Sequence, residues 1–183
     1  MDNAYVLVSG GLDSAACIHF LKKQNLNVIG IHVSYGQLAQ KSEYLAAQKL
    51  CEYFSCSLKL VKTSLGKKFL DGDVQGRNAY LLMSALLIAD KDSLIALGIH
   101  AGTNYYDCSP IFFEKISSLV EDYSSGKIKL VAPFLEWSKG DIYRYFLDNE
   151  LPLELTYSCE IGKSSPCGRC KSCLDREALN VTS

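Results

Sequence analysis

The chain has 183 residues, of which 48% are hydrophobic and 21% are charged, and its formal net charge at pH 7 is −1. This length suffices for one well-packed core in a single domain. The near-neutral charge gives no electrostatic reason to expect nucleic acid or a membrane as a partner, so a small-molecule substrate is favoured. The N-terminus lacks a basic, apolar leader pattern and no apolar run is long enough to span a membrane, which predicts a cytoplasmic protein.

Apolar patterning predicts strands that alternate with helices along most of the chain. The predicted strands are 5–8, 28–33, 58–61, 93–98 and 128–131, and the predicted helices are 15–23, 40–54, 79–89, 112–123 and 138–149. The stretch 66–76 lacks periodicity and is predicted to be a loop. Such alternation requires right-handed crossovers and predicts an α/β fold with a doubly wound, mostly parallel sheet, whose ligand crevice lies at the carboxyl ends of the strands.

A glycine loop with the sequence Ser-Gly-Gly-Leu-Asp-Ser follows the first predicted strand and leads directly into a helix. Gly10 and Gly11 have no Cβ to keep an anion from the backbone, and the N–H groups of a helix N-terminus favour negative charge. Ser9 and Ser14 add hydroxyl donors, and Asp13 can hold a Mg²⁺ that bridges phosphate oxygens. The loop therefore predicts a phosphate site. The alternative is an ordinary strand-to-helix turn in which Asp13 and Ser14 cap the helix.

Half of the eight cysteines are concentrated near the C-terminus, in the pattern C-x7-C-x2-C-x2-C formed by Cys159, Cys167, Cys170 and Cys173. Thiolates at this spacing converge on one tetrahedral ion, and four of them make a closed, structural site. Zinc is favoured over an iron–sulfur cluster, because a ferredoxin run continues with x3-Cys-Pro and this chain does not. The tail has few apolar residues, so we expect zinc to fold it. The alternative is four unligated thiols in a polar tail.

Together these motifs carry a resemblance to known proteins. The glycine loop is not a Walker A motif, and it resembles the signature of the PP-loop ATP pyrophosphatase superfamily, which cleaves ATP to AMP and pyrophosphate. With the cysteine cluster, the chain resembles the 7-cyano-7-deazaguanine synthase (QueC-like) family of queuosine biosynthesis. The further blocks that agree are Tyr35-Gly36-Gln37, Gly76-Arg77-Asn78, Tyr106-Asp107-Cys108 with Pro110, Thr156-Tyr157-Ser158-Cys159 and Cys173-Leu174-Asp175-Arg176-Glu177-Ala178.

The resemblance implies a HUP-like fold of the adenine nucleotide alpha hydrolase type, with a PP-loop domain over residues 1–150 and a zinc-binding tail over 151–183. It also implies that ATP, with Mg²⁺, activates 7-carboxy-7-deazaguanine as an acyl-adenylate. Ammonia then displaces AMP to give an amide, and a second ATP converts the amide to the nitrile. A homodimer is implied as well.

Site residues also follow from the resemblance. The catalytic residues would be Asp13, Ser14 and Arg77. ATP would be bound by Val8, Ser9, Gly10, Gly11, Leu12, Asp13, Ser14, Ala15 and Ala16. The deazaguanine substrate would contact Gln37, Arg77, Asn78, Tyr106 and Asp107.

The chain departs from the family pattern at two positions, where Ser109 replaces an arginine and Gln75 replaces a proline. It is also shorter than the usual member, near 66–76 and around Gly102. These segments are expected to frame the substrate. An alternative is therefore a QueC-like antiphage enzyme that couples the activated acid to an amine of a partner protein. A non-catalytic nucleotide-binding zinc module is a further alternative, although the intact glycine loop favours an enzyme.

Three other residues have two interpretations each, and Trp137 has one. His32 lies in an apolar strand, where a hydrogen-bonded core histidine is favoured over a catalytic one. His100 follows a strand end, and both roles stay open. Cys108 has no adjacent base in the sequence, which favours packing over a nucleophilic role. Trp137 is expected to pack at the start of the last predicted helix.

Overall fold

The computed structural model describes residues 2–63, 69, 74–100, 102–163 and 165–179. Within these residues the strands are β1 (Asn3–Leu7), β2 (Asn27–Ser34), β3 (Ser57–Lys62), β4 (Ser93–Ala96) and β5 (Ile128–Val131). The helices are α1 (Leu12–Lys22), α2 (Gln40–Tyr53), α3 (Arg77–Leu86), α4 (Pro110–Ser124), α5 (Lys139–Asp148) and α6 (Lys171–Ala178), with short 3-10 helices at Tyr106–Cys108 and Leu153–Leu155.

The five strands form one parallel sheet in the order β3-β2-β1-β4-β5. The chain proceeds outward from β1 to β3 and then returns to the other side of β1 with β4. The strand order therefore reverses between β1 and β4, where doubly wound sheets place their ligands. This topology confirms the predicted fold class.

Helices cover both faces of the sheet. On one face α1, α2 and α5 enclose a core that includes the fully buried Phe134 and Phe146. On the other face α3 and α4 enclose a second core that includes Leu82 and Val120. The inner strands β1, β2 and β4 are mostly buried and appear in the sequence as largely apolar runs, whereas the edge strands β3 and β5 include exposed lysines. None of the helices in the described part of the chain has the length and apolar character that a bilayer crossing requires.

The predicted elements are present, with ends that differ by up to three residues. The helix α1 begins at Leu12, because its N-cap residue, Gly11, lies inside the glycine loop itself. The helix α3 begins at Arg77, directly after Gly76, whose φ is +74°. The helix α6 was not predicted, since its sequence is mostly polar and shows no apolar period. Most of the predicted loop 66–76 lies outside the described residues.

The C-terminal tail packs directly onto the glycine loop and α2. The Tyr157 N–H donates to the Gly10 carbonyl at 2.8 Å. A Cβ at Gly162, whose φ is +77°, would lie 2.5 Å from the Leu38 oxygen, so glycine is required where the tail crosses the chain before α2. The proposed boundary between residues 1–150 and 151–183 stays a prediction.

Candidate active site

The glycine loop leaves the carboxyl end of β1 and turns directly into α1. Gly10 has φ +85°, and a Cβ there would lie 2.7 Å from both the Ala46 Cβ and the Glu43 oxygen of α2. A side chain at this position therefore meets both backbone strain and a steric clash. Gly11 is the N-cap residue of α1 and offers no side-chain hydrogen bond. The first N–H groups of α1, which have no partner within the helix, face the loop as donors for an anion.

The side chains of Asp13 and Ser14 do not cap α1, so this part of the alternative is wrong, and the phosphate role of the loop stays a prediction. The Ser14 hydroxyl donates to the Gly11 carbonyl at 2.9 Å. The Asp13 carboxylate instead accepts from Lys139 Nζ at both oxygens, at 2.6 and 2.5 Å. Both side chains are about one-quarter exposed, at 27% and 28%. The pair places a carboxylate and an ammonium group side by side at the mouth of the loop.

Lys139 was not among the predicted site residues. It is the first residue of α5, whose N-terminus is fixed by a reciprocal capping box between Ser138 and Asp141. The Ser138 hydroxyl accepts from the Asp141 N–H at 3.2 Å, and the Asp141 carboxylate accepts from the Ser138 N–H at 3.0 Å. The Ser-x-x-Asp pattern after β5 was the available signal, because it predicts a helix start near the carboxyl ends of the strands.

A cavity of about 320 Å³ opens at this edge of the sheet, within the range of small-molecule sites. Most of the predicted site residues line it, namely Val8, Ser9, Gly11, Leu12, Asp13, Ser14, Gln37, Arg77 and Asn78. Apolar side chains from β1, β2, α3 and the segment after β4 also line it: Leu7, Ile31, Val33, Leu81, Leu97 and Ile99. The cavity thus joins the glycine loop, an apolar surface and the N-terminus of α3.

The other predicted site residues lie outside the cavity wall. Ala15 and Ala16 belong to α1 and are fully buried in the core. Gly10 packs against α2. Tyr106 is 58% exposed and packs edge-on against Phe112, whereas its neighbour Tyr105 lines the cavity. Substrate contact by Tyr106 stays a prediction.

Asp107 is hydrogen-bonded to Asn78, and its predicted contact with the substrate stays a prediction. Its carboxylate accepts from the Asn78 N–H at 3.0 Å, and its carbonyl accepts from the Asn78 side-chain amide at 2.9 Å. Asn78 is only 6% exposed, so these bonds hold the start of α3 in place. Arg77 precedes Asn78 and faces the cavity, where its guanidinium lies close to Tyr35. Burial raises the pKa of Tyr35, and the positive charge of Arg77 acts in the opposite direction.

The two histidines near the site differ in their surroundings. His32 is 1% exposed, and its Nδ1 donates to the Val8 carbonyl at 2.8 Å. Burial lowers the pKa of His32, which favours the neutral ring. These observations support the core interpretation of His32, although its Nε2 has no hydrogen-bond partner among the described residues. His100 lines the cavity at the end of the segment after β4.

Cys108 also lines the cavity, and Trp137 packs near the start of α5. Burial raises the pKa of the Cys108 thiol, which disfavours the thiolate and supports the packing interpretation. The Trp137 ring lies 5.0 Å from the Phe134 ring and 5.8 Å from the Tyr145 ring. This cluster confirms the predicted packing of Trp137.

The C-terminal tail forms one wall of the cavity, which the sequence did not indicate. The α6 residues on this wall are Lys171, Ser172, Asp175 and Arg176. Arg176 ties the helix to the segment after the second 3-10 helix, since its Nη1 donates to Thr156 at 2.9 Å and to Ser158 at 3.1 Å. Lys171 stacks on the Tyr105 ring at 4.3 Å. Both contacts bring α6 close to the predicted substrate region.

The four predicted cysteine ligands converge at the base of α6. Their sulfur atoms all lie within 4.8 Å of one another, and the Cys167 and Cys173 sulfurs are 3.9 Å apart. A tetrahedral zinc ion with bonds of about 2.3 Å needs sulfurs roughly 3.8 Å apart, so the geometry fits. Backbone N–H groups of Arg169 and Cys170 lower the pKa of Cys167 to about 6, which favours the thiolate. The predicted convergence of the four thiols is confirmed, and the identity of the ion stays a prediction.

Comparison with known proteins gives the family of this chain. The family model described as "Queuosine biosynthesis protein QueC" matches residues 3–73 and 71–181. The chain belongs to the QueC family. A 7-cyano-7-deazaguanine synthase of Prochlorococcus marinus subsp. pastoris is 32% identical over 206 residues, covering 96% of this chain and 92% of the relative. Another, of Campylobacter curvus, is 28% identical and covers 94% of this chain and 90% of the relative.

The alignment to the P. marinus relative is longer than the 183 residues of this QueC-family chain. The relative therefore carries insertions that this chain lacks, which agrees with the prediction that this chain is shorter than the usual family member.

Solved structures show the same fold at low identity. The U34-tRNA thiolase NcsA of Methanococcus maripaludis, which carries a [4Fe-4S] cluster, superposes with a TM-score of 0.56 at 19% identity. It covers 98% of this chain, which spans only 65% of NcsA. NMN synthetase of Francisella tularensis superposes with a TM-score of 0.55 at 15% identity, over 99% of this chain and 73% of that protein. At these identities the likeness concerns the fold alone, and it confirms the predicted HUP-like class.

Proposed function

We propose that this QueC-family chain is an ATP-dependent 7-cyano-7-deazaguanine synthase. It would activate 7-carboxy-7-deazaguanine with ATP and convert the activated acid with ammonia to the nitrile, with release of AMP and pyrophosphate. The observation that carries the proposal is the single cavity that joins the glycine loop and the Asp13–Lys139 pair to Arg77 and Asn78. Relatives that match nearly the whole chain are named for this activity.

The glycine loop would hold the phosphates of Mg·ATP. The N–H groups at the start of α1 face the anion, and Asp13 is the carboxylate placed to hold the magnesium ion that accompanies the nucleotide. Lys139 now bonds to both Asp13 oxygens. If Asp13 held the magnesium ion, the Lys139 ammonium group would remain beside the phosphates. There it stabilises the charge that develops on the departing pyrophosphate.

The acid would lie between the apolar surface and Arg77. The flat deazapurine ring packs against side chains such as Ile31, Leu81 and Leu97, and the guanidinium attracts its carboxylate. A carboxylate oxygen then attacks the α-phosphorus, the bond from phosphorus to pyrophosphate breaks, and an acyl-adenylate forms. Positioning and charge stabilisation account for this step, so no protein nucleophile is needed.

We further propose that Cys159, Cys167, Cys170 and Cys173 hold one structural zinc ion. All four positions would be filled by thiolates, so the ion would take no part in the chemistry. Its effect would be to fix α6, whose Lys171 and Arg176 face the cavity.

The structure describes both positions at which the chain departs from the family pattern. Ser109 caps α4, since its hydroxyl accepts from the Phe112 N–H at 3.2 Å and donates to the Tyr106 carbonyl at 2.7 Å. Neither Ser109 nor Gln75 is among the residues described as lining the cavity. The effect of Ser109 and Gln75 on substrate choice therefore stays a prediction.

Product analysis tests the proposed function. The protein is incubated with 7-carboxy-7-deazaguanine, excess Mg·ATP and ammonium, and the products are identified by mass spectrometry. We expect a nitrile, with about two AMP per product if both activations proceed through adenylates. If addition of the acid causes no release of AMP, the protein is not an enzyme of this class. A product that stops at the amide, or a mass increase on a partner protein, would favour the conjugating alternative.

A further inference from the structure

Glu43 of α2 is a carboxylate on the cavity wall that no predicted role accounts for. Its backbone oxygen lies 2.7 Å from the point where a Gly10 Cβ would stand, so this turn of α2 touches the glycine loop. Its side chain is partly buried. Burial raises the pKa of Glu43, against the opposing effects of the Gln37 hydrogen bond and the Arg77 charge.

Gln37 holds this carboxylate in place and has little capacity for other partners. The Gln37 amide donates to Glu43 Oε2 at 2.9 Å and to the Val33 carbonyl at 3.2 Å. Its oxygen accepts from the Tyr35 N–H at 2.9 Å. Since the amide NH₂ has only two protons, both are used within the protein. Gln37 is therefore better suited to position Glu43 than to contact the substrate.

Charged and titratable groups from several elements surround Glu43. Arg77 approaches from α3, and Glu160 approaches from the tail. Tyr35 at the end of β2 and Tyr157 of the tail also interact electrostatically with it. Glu43 thus lies between the glycine loop, where the α-phosphate would be held, and Arg77, where the acid would be held.

Attack of the amine on the acyl-adenylate needs a proton acceptor between the glycine loop and Arg77. At neutral pH ammonia in water is mostly ammonium, which has no lone pair for attack on an acyl carbon. Two other carboxylates on the cavity wall are engaged: Asp13 with Lys139, and Glu160 with the N–H and hydroxyl of Ser172 at 3.2 and 2.7 Å. Asp175 also lines the cavity but lies on α6, whereas Glu43 lies on the turn of α2 that touches the glycine loop. A carboxylate with a raised pKa is better matched to proton transfer near neutral pH than an ordinary one.

We propose that Glu43 is the general base that binds the ammonium ion and takes a proton from it, an assignment that rests on the proposed function. The Glu43 carboxylate accepts one proton from ammonium and leaves ammonia with a free electron pair. That pair forms the C–N bond at the acyl carbon of the adenylate. The C–O bond to AMP breaks, AMP leaves with the electron pair, and the surplus proton on nitrogen passes to solvent. Gln37 is a positioning residue for this base.

The test separates activation of the acid from attack by the amine. Glu43→Gln keeps an oxygen for the Gln37 hydrogen bond but cannot take a proton. We expect acid-dependent ATP–pyrophosphate exchange to persist, while turnover with ammonium falls by about 10²- to 10⁴-fold. Hydroxylamine, which is already unprotonated at neutral pH, should restore turnover. Glu52→Gln, an exposed change on the same helix, is the matched control and should behave as wild type.

Three results would overturn the assignment. Loss of exchange together with turnover would mean that Glu43 serves activation. A raised KM for the acid with unchanged kcat would mean that it recognises the substrate. Failure of hydroxylamine to rescue would remove the proton-transfer role. If instead wild-type protein shows no acid-dependent exchange, the proposed function itself fails.

The wild-type protein alone supplies a second measurement in case Glu43→Gln does not fold. At constant total ammonium, the turnover rate should reach a plateau near neutral pH, because ionised Glu43 deprotonates the bound ion. A rate that instead rises about tenfold per pH unit would show that only free ammonia is used, and this would contradict the proposal.

Discussion

Replacement of Lys139 by methionine should separate catalysis from stability. The Asp13–Lys139 pair joins side chains that are 27% and 28% exposed, so solvent screens it. Pairs of this kind contribute at most about 1 kcal/mol to the free energy of unfolding. For a chain of this size that corresponds to a decrease in Tm of about 2–4 °C. In contrast, loss of a charged donor to the departing pyrophosphate should raise the activation free energy by about 2.7–4 kcal/mol, which lowers kcat about 10²- to 10³-fold.

The assay is pyrophosphate release in the presence of the acid and Mg·ATP, with the Tm measured on the same preparation. Lys115→Met, an exposed lysine on α4, serves as the matched control and should leave both quantities unchanged. Asp13→Ala should likewise abolish AMP and pyrophosphate formation with little change in Tm, because this carboxylate contributes to chemistry and little to packing. A Lys139→Met protein with near-normal pyrophosphate release would refute the role of the lysine. A large loss of Tm would show that the pair is structural.

Three further predictions concern the metal, the glycine loop and pH. Metal analysis of protein purified without added metal should find about one zinc per chain. Cys170→Ser should lower the Tm, because three ligands hold the tail less well. Iron in the protein, or well-folded protein without metal, would contradict the zinc assignment. Gly126→Ala should reduce the free energy of unfolding by roughly 1–2 kcal/mol, and Gly10→Ala should reduce it by clearly more. Both glycines have positive φ, but of the two only Gly10 has atoms within 4 Å of the added Cβ. Equal losses in urea denaturation would disprove the clash. Burial lowers the pKa of His19 and His32, so below about pH 6.5 the unfolded chain binds more protons than the folded chain and the free energy of unfolding should fall. His32→Asn should weaken this dependence on pH. An unchanged slope would exclude His32 as a contributor.

Some features of the site could be predicted because they depend on neighbours in the chain. The glycine loop works through consecutive backbone groups and a helix that starts at once, and the cysteine pattern works through the short spacing of its ligands. Tyr105 and Tyr106 mark the limit of such reasoning. Tyr105 directly precedes the 3-10 helix that begins at Tyr106, and no spacing pattern shows that Tyr106 packs on Phe112 while Tyr105 faces the cavity.

By itself, the sequence determined the parallel α/β class, the glycine loop between β1 and α1, the clustering of four thiols and the family. Each of these depends on periodicity, on local geometry or on several motifs in a fixed order. Only the tertiary structure decided which distant side chains meet. Lys139 pairs with Asp13 across 126 positions, Glu43 reaches the cavity from α2, and α6 closes it from the tail. The physical reason is that the carboxyl ends of all strands converge at one edge of the sheet, so contacts there depend on how helices pack over that edge and leave no spacing pattern in the chain.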